Sequence, residues 1–306
     1  MTGHLPVLLR EVMEYLKPDR GGVYIDATVG LGGHGVEILK ALHSSGNGRG
    51  LLIGLDRDPE ALKVAEARFK EEGMRDFVLK KARFSEMEAV LSELNIKGAD
   101  GILMDLGVSM FQLKTPGRGF SFLVDEPLDM RMDPTAPLTA EEVVNTYPES
   151  ELARIFWEYG EERNSRKIAR AIVTRRPKKP VKTTGELAEM VARFYRGRWK
   201  THPATRVFQA LRIEVNSELW ELNEALKASA RVLNTPEGAS APVSGRLVVL
   251  SYHSLEDRIV KHFIREKERE GIFKNLTKKP VTPSYEEMRK NPSARSAKLR
   301  AAERVI

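Results

Sequence analysis

Apolar positions follow two alternating rhythms over the first hundred residues. Short unbroken runs occur at Tyr24-Ile25, Leu51-Leu52-Ile53, Phe77-Val78-Leu79 and Ile102-Leu103-Met104, the last within a fourth strand read from Ala99 to Leu106 and ending in Asp105. Between them, apolar residues recur three or four apart, as at Val36, Ile38, Leu39 and Leu42. Short runs predict buried strands and the wider spacing predicts amphipathic helices. A helix is expected from Val7 to Lys17, stopped by Pro18. A second strand follows the turn Ser44-Ser45-Gly46-Asn47-Gly48. The next helix opens on Asp58 as N-cap with Pro59 at its first position and ends at Gly73. Ser85-Glu86-Met87-Glu88 reads as a capping box opening a helix that runs to Leu94.

After Gly107 the alternation stops. Residues 108–138 read as loop, and from Thr139 to about Lys200 only helical signals occur. These are a capping box at Thr139-Ala140-Glu141-Glu142, then Leu152–Tyr159, Ser165–Arg175 and Gly185–Tyr195. A long amphipathic helix from about Ala204 to Leu233 leads back to a strand, Arg246–Tyr252, and to a helix from Leu255 to Glu270. From Gly271 the chain is basic, carries prolines and lacks apolar periodicity, so an extended or loosely ordered tail is expected. Strands alternating with helices imply an α/β fold with a parallel sheet covered on both faces. An all-helical domain is inserted between the fourth and fifth strands. The expected division is 1–112 and 213–306 for the sheet domain and 113–212 for the insertion.

Composition narrows the class. With 41% hydrophobic and 30% charged residues in 306, the chain can bury a large core. No apolar run approaches the roughly 18 residues of a membrane span. Met1-Thr2-Gly3-His4-Leu5-Pro6 has no basic start followed by an apolar stretch, so no signal peptide is expected, and the expected location is cytoplasmic. The absence of cysteine excludes disulfides, thiolate zinc sites and iron–sulfur clusters held by this chain.

A net charge of +7 favours a polyanionic partner, and the charge is concentrated. Residues 160–206 hold 14 Lys/Arg against 4 Asp/Glu, and residues 258–306 hold 14 against 6. A solvated helix face explains any single basic run. Two such regions favour RNA, one of them mixing Phe194, Tyr195 and Trp199 with Arg193, Arg196, Arg198 and Lys200.

The first strand delivers Asp26 into a loop with glycines at 30, 32, 33 and 35 that opens a helix. This is the first β-loop-α unit of a Rossmann-type nucleotide site, where glycines allow close backbone approach to a ligand. The second strand ends in Asp56, placed to accept the hydroxyls of a ribose. Asp26 would repel a pyrophosphate but suits a cationic ligand, which favours S-adenosylmethionine over a nicotinamide cofactor. The structural alternative is that Asp26 caps a turn. With no cysteine to attack a pyrimidine ring, a methyl group would pass directly to a nucleophilic nitrogen or oxygen.

Asp26, Asp56, Asp105 and the Tyr252-His253-Ser254 segment end neighbouring strands and converge on one rim. Asp105 is the candidate catalytic residue: its carboxylate can accept the N–H bonds of an exocyclic amine and favour the tetrahedral nitrogen that attacks. The alternative is a cap or turn acid. Phe84 either stacks on adenine or packs in the core. His253 either meets substrate or merely precedes Ser254 as N-cap, and His34 is either a base or a backbone-bonded ring. Asp129, Arg131 and Asp133 alternate as an ion-pair network would, with a metal site as the less favoured alternative, and no metal is assigned. Gly117-Arg118-Gly119-Phe120 is a lid or a tight turn.

Longer blocks carry a resemblance. They are His4–Leu9, the glycine loop, Asp105–Ser109, Arg118–Phe122, Pro127–Asp133, His202–Ile213, His253–Arg258 and Ala294–Arg300. Together they resemble the bacterial family of ribosomal RNA small-subunit methyltransferases H, also called MraW, from His4 to Arg304. The resemblance implies a class I S-adenosylmethionine-dependent methyltransferase sheet with a helical insertion. It implies N4-methylation of one cytidine in the decoding region of 16S rRNA within the small ribosomal subunit. Carried to matching positions, the cofactor contacts fall at Gly32, Gly33, His34, Asp56, Phe84, Asp105 and Gln112. Met110-Phe111 stands where the family has Ser-Pro, a departure expected to loosen the loop holding Gln112. The competing readings are a methyltransferase with another RNA or a protein as acceptor, and a non-catalytic assembly factor that keeps the fold.

Overall fold

The strands of the chain are β1 (Gly22–Asp26), β2 (Gly50–Asp56), β3 (Phe77–Lys81), β4 (Gly101–Asp105), β5 (Arg246–Ser251), β6 (Phe273–Asn275) and β7 (Lys298–Arg304). They form one sheet in the order β3-β2-β1-β4-β5-β7-β6. The computed structural model describes residues 6–306 apart from 45–49, 198, 200 and 237–243. Most of the turn expected at Ser44–Gly48, together with His4, Leu5, Arg198 and Lys200, lies outside the described residues. Strands β1 to β5 pair in parallel, whereas β7 pairs antiparallel with both β5 and β6.

Helices in chain order are α1 (Leu9–Leu16), α2 (Gly33–Ser44), α3 (Pro59–Glu71), α4 (Met87–Glu93), α5 (Met110–Lys114), α6 (Ala140–Thr146) and α7 (Glu149–Glu158). They continue as α8 (Ser165–Arg175), α9 (Thr184–Ala192), α10 (Ala204–Asn216), α11 (Glu218–Val232), α12 (Ser254–Arg269) and α13 (Tyr285–Lys290). Two compact units result: residues 1–107 with 219–306, and residues 108–218.

In the sheet unit, alternate strand residues serve opposite faces. Ile25, Ile53, Ile102 and Leu247 pack with Leu91 of α4, Leu222 and Leu226 of α11 and Val260 of α12. Tyr24, Leu52, Leu103 and Val248 pack with Val12 of α1, Leu39 of α2 and Phe69 of α3. Burial on both faces explains why these strands read as continuous apolar runs. The helical unit has its own core, with Val143, Leu152, Ile168, Leu187, Val207 and Leu211 at its centre.

Several expectations are corrected. The helix read from Ala204 to Leu233 breaks at Ser217, whose φ is 51°. Asn216 forces the break: its buried amide donates to the Met130 and Arg212 carbonyls and accepts from the Met132 N–H. The apolar pattern ran through because both helices bury the same kind of face.

The tail is not loosely ordered. It supplies β6, α13 and β7, and β7 lies inside the sheet between β5 and β6. Arg300 interrupted its pattern, yet that guanidinium is buried against Asp257 on α12 (Nε to Oδ1, 2.7 Å). Ser85 does not cap α4; a 3-10 turn, Phe84–Glu86, precedes that helix, and Glu86 accepts from the Arg83 N–H instead. The N-cap of α12 is His253, not Ser254.

Candidate active site at the strand ends

The parallel strands β1, β2 and β4 finish on Asp26, Asp56 and Asp105. Register sets their levels: Asp26 lies opposite Gly54 of β2 and Leu103 of β4, so Asp56 and Asp105 each end two residues further out than Asp26. Asp26 is 2% exposed, and its Oδ1 accepts one N–H, from Thr28 at 3.3 Å. Burial pushes its carboxyl up to about 8 against that hydrogen bond, and the charges of Asp105 and Asp56 push the same way. Asp56 accepts from Gly30 N–H at 3.0 Å and Asp58 N–H at 2.9 Å. Burial raises it to about 6 despite those bonds.

Asp105 is met at its carboxylate by side chains from two other elements. Its backbone N–H donates to Thr28 Oγ1 at 2.7 Å. The Tyr252 hydroxyl donates to Oδ1 at 2.7 Å, and His34 Nδ1 lies 3.6 Å from Oδ2. His34 is buried, and its Nε2 bonds the Val7 carbonyl at 3.0 Å. Tyr252 was missed as a partner of Asp105 in the sequence reading. The available signal was its position two residues beyond Leu250, which pairs with Asp105 across β4 and β5.

The glycine loop differs from its expected logic at two positions. A Cβ on Gly32 or Gly35 would come within 2.6 Å of the Phe69 ring. These positions are glycine because α3 packs there, whereas close ligand approach was the expected reason. Gly33 begins α2 and places His34 in that helix's first turn. Phe84 is half-buried, packed against the core, with the Arg57 guanidinium 5.9 Å from its ring centre. Arg83 and Ser85, on either side of it, both bond Glu221 of α11, at 2.8 and 2.5 Å.

His253 caps α12, its Nδ1 accepting from Glu256 N–H at 3.4 Å. Its capping role accounts for its placement.

Gln112 belongs to the helical unit, where it is buried. It forms a reciprocal capping box with Ser109, both bonds 3.1 Å. The segment expected to be loosened by Met110-Phe111 is thus a capped helix, α5. Arg118 and Phe120 are buried, with Arg118 Nη2 donating to the Arg131 and Met132 carbonyls, so that segment is a packed turn. Asp129 and Arg131 form an ion pair at 2.6 Å.

Within the same unit, Phe194 and Tyr195 are half-buried against the core, and Tyr195 donates to buried Glu162. Trp199 is 43% exposed. It stands edge-on to His202 at 5.5 Å, His202 lies 4.7 Å from Phe122, and Phe122 meets buried Phe208 at 4.8 Å. Part of the basic run is internal: Arg176 Nη1 donates to the Val144 and Tyr147 carbonyls, and Arg175 pairs with Glu186. Arg193 and Arg196 are exposed.

Residues 1–305 match the model of the MraW methylase family. The chain belongs to that family. It is therefore a methylase, and its methyl donor is S-adenosylmethionine. Among curated relatives of this MraW chain, ribosomal RNA small subunit methyltransferase H of Carboxydothermus hydrogenoformans is 50% identical over 319 residues, covering 99% of this chain and 98% of the relative. The protein of the same name from Kosmotoga olearia is 48% identical, covering 99% and 97%. A solved rRNA methylase from Streptococcus thermophilus aligns over 97% of this chain and 94% of its own, at 12% identity and a TM-score of 0.45. Among the described residues of this MraW protein, no helix is long and apolar enough to cross a membrane.

Proposed function

We propose that this methylase transfers a methyl group to the N4 amine of a cytidine in the decoding region of 16S rRNA within the small ribosomal subunit. The coarser part, methylation of ribosomal RNA, rests on the family and on relatives of that name at 48 and 50% identity. The N4 position is supported by one observation above the rest: Asp105, held by Tyr252, Thr28 and His34, at a strand end of the rim.

The residues present fit S-adenosylmethionine, which supplies a methyl group on a sulfonium. A carboxylate offers about four acceptor positions, and the backbone bonds to Asp56 leave capacity for ribose hydroxyls. Asp26, raised to about 8, gains by ionising beside a cation. Phe84 offers a half-buried ring for a purine, and Gly32, Gly33 and His34 line the turn into α2.

The amine of cytosine is a weak nucleophile because its lone pair is delocalised into the ring. Asp105 accepts an N–H of that amine, localises the lone pair, and takes the proton that nitrogen sheds as its new bond forms. The cysteine-free chain has no covalent route to ring carbon. Exposed Trp199 with Arg193 and Arg196 suits an unpaired nucleotide and its phosphates.

The test is nucleoside mass spectrometry of small subunits incubated with the protein and deuterated-methyl S-adenosylmethionine. Labelled N4-methylcytidine is expected. Label on ribose, another base or protein would replace this acceptor, and no label at all would remove the reaction.

A further inference from the structure

Tyr252 and His34 meet different oxygens of Asp105. The Tyr252 hydroxyl has a single proton, and it points at Asp105 Oδ1 (2.7 Å). Burial, and then the charge and hydrogen bond of Asp105, drive that phenol far above its ordinary range, so it stays a donor. His34 Nε2 sits 3.0 Å from the Val7 carbonyl, which can only accept. Nε2 therefore carries a proton in every charge state of that ring. In the neutral ring, Nδ1 is a bare lone pair 3.6 Å from Asp105 Oδ2.

At 3.6 Å the two atoms are beyond hydrogen-bond distance, so Nδ1 stands beside the carboxylate as a separate acceptor. Other groups in the neighbourhood are acidic. Asp26 and Asp56 lie along the rim, Glu256 accepts the Tyr252 N–H at 2.9 Å, and Glu287 on α13 faces the same tyrosine.

Resting on the methyl-transfer reading above, we propose that Tyr252 and His34 are positioning residues set against the two oxygens of Asp105, Tyr252 through its hydrogen bond to Oδ1 and His34 through an Nδ1 lone pair 3.6 Å from Oδ2 that can receive a proton from it. When the acceptor nitrogen forms its bond to the methyl carbon, the carbon–sulfur bond breaks and sulfur keeps the electron pair. One N–H bond then breaks, and its proton passes to Asp105 and on to His34 Nδ1 when that site is bare. Tyr252 keeps its own proton throughout. It holds the carboxylate plane and favours the ionised form that receives the amine proton.

Two measurements on the protein without donor or RNA test the clamp. In 15N spectra of the imidazoles, neutral His34 is expected as the Nε2–H tautomer; an Nδ1–H tautomer overturns the clamp. In carboxyl 13C titrations, Tyr252→Phe is expected to move the Asp105 transition upward by about one pH unit or more, since a donor to a charged acceptor is lost. An unmoved transition overturns it. In turnover, the same variant is expected to lose about tenfold in kcat, with the acid limb of the rate profile moving the same way and donor affinity within twofold. Loss in affinity alone would reduce Tyr252 to a structural role. If the wild-type protein methylates no RNA, the reaction falls while both spectroscopic results still decide the clamp.

Discussion

Glu221 accepts from Arg83 Nη1 at 2.8 Å, an ion pair whose acidic side chain is wholly buried and whose basic one is half-exposed. Ser85 donates to the other oxygen of the same carboxylate. Phe84 lies between the two donors, so one buried acid on α11 sets the backbone on both sides of the ring proposed to meet adenine. Glu221→Ala is expected to weaken S-adenosylhomocysteine binding about tenfold through a misplaced ring. Glu221→Gln, which keeps an acceptor for Ser85, should lose less. Calorimetry on the two variants checks this, and equal affinity to wild type would detach Phe84 from the cofactor.

Asp26 predicts an opposition between stability and binding. Its carboxyl, raised to about 8 in the folded chain by burial, titrates near 4 when unfolded. The folded state therefore binds more protons between those values, and stability falls as pH rises from about 4 to 8. Asp26→Asn removes that loss, so its Tm should exceed wild type by roughly 5 °C at pH 8, with the gain shrinking towards pH 5. The same change should abolish tight donor binding.

Donor affinity in the wild-type protein should itself depend on pH. A cationic ligand prefers ionised Asp26, which the free protein holds protonated below about 8. Affinity should climb by up to about tenfold per unit from pH 6 to 8 and level off above. Calorimetry in buffers of different ionisation enthalpy reads the proton released. Binding with no proton release at pH 7 would contradict the role given to Asp26.

Arg300 and Asp257 tie β7 to α12. Burial raises the Asp257 carboxyl, but the hydrogen bond and charge of Arg300, with Lys298, outweigh it and hold it below the ordinary range. That stability is present above the unfolded-state value and is lost as pH falls through the folded one. Arg300→Ala leaves the half-buried Asp257 carboxylate with Lys298 at 3.4 Å as its remaining cation and should cost about 2 kcal/mol in urea unfolding at pH 7. Truncation at Gly271 removes β6 and β7 and should leave no cooperative transition.

Trp199 should matter for RNA and not for the donor. Trp199→Ala removes a stacking surface worth about 1–3 kcal/mol per base, so affinity for a single-stranded rRNA fragment should fall about tenfold. Fluorescence anisotropy reads the first and calorimetry with S-adenosylhomocysteine the second. Unchanged RNA affinity would move the contact elsewhere on the basic surface.

Sequence pattern alone was enough for the first four parallel strands, the helices between them and the acids at three strand ends. Those features follow from local periodicity and from the polarity of each strand terminus. The Asp58 cap of α3 was legible for the same reason, since a cap is settled within four residues. What lay beyond local pattern was decided by distant partners. Asn216 ends a helix because Met130 and Met132 lie within its reach, and Arg300 enters a strand because Asp257 neutralises it. Gly32 and Gly35 are glycine because Phe69 arrives from another helix, and Asp105 is clamped by a tyrosine 147 positions away. Each of these is a contact energy paired with its entropy cost only in the folded chain, so no window of neighbouring residues contains it.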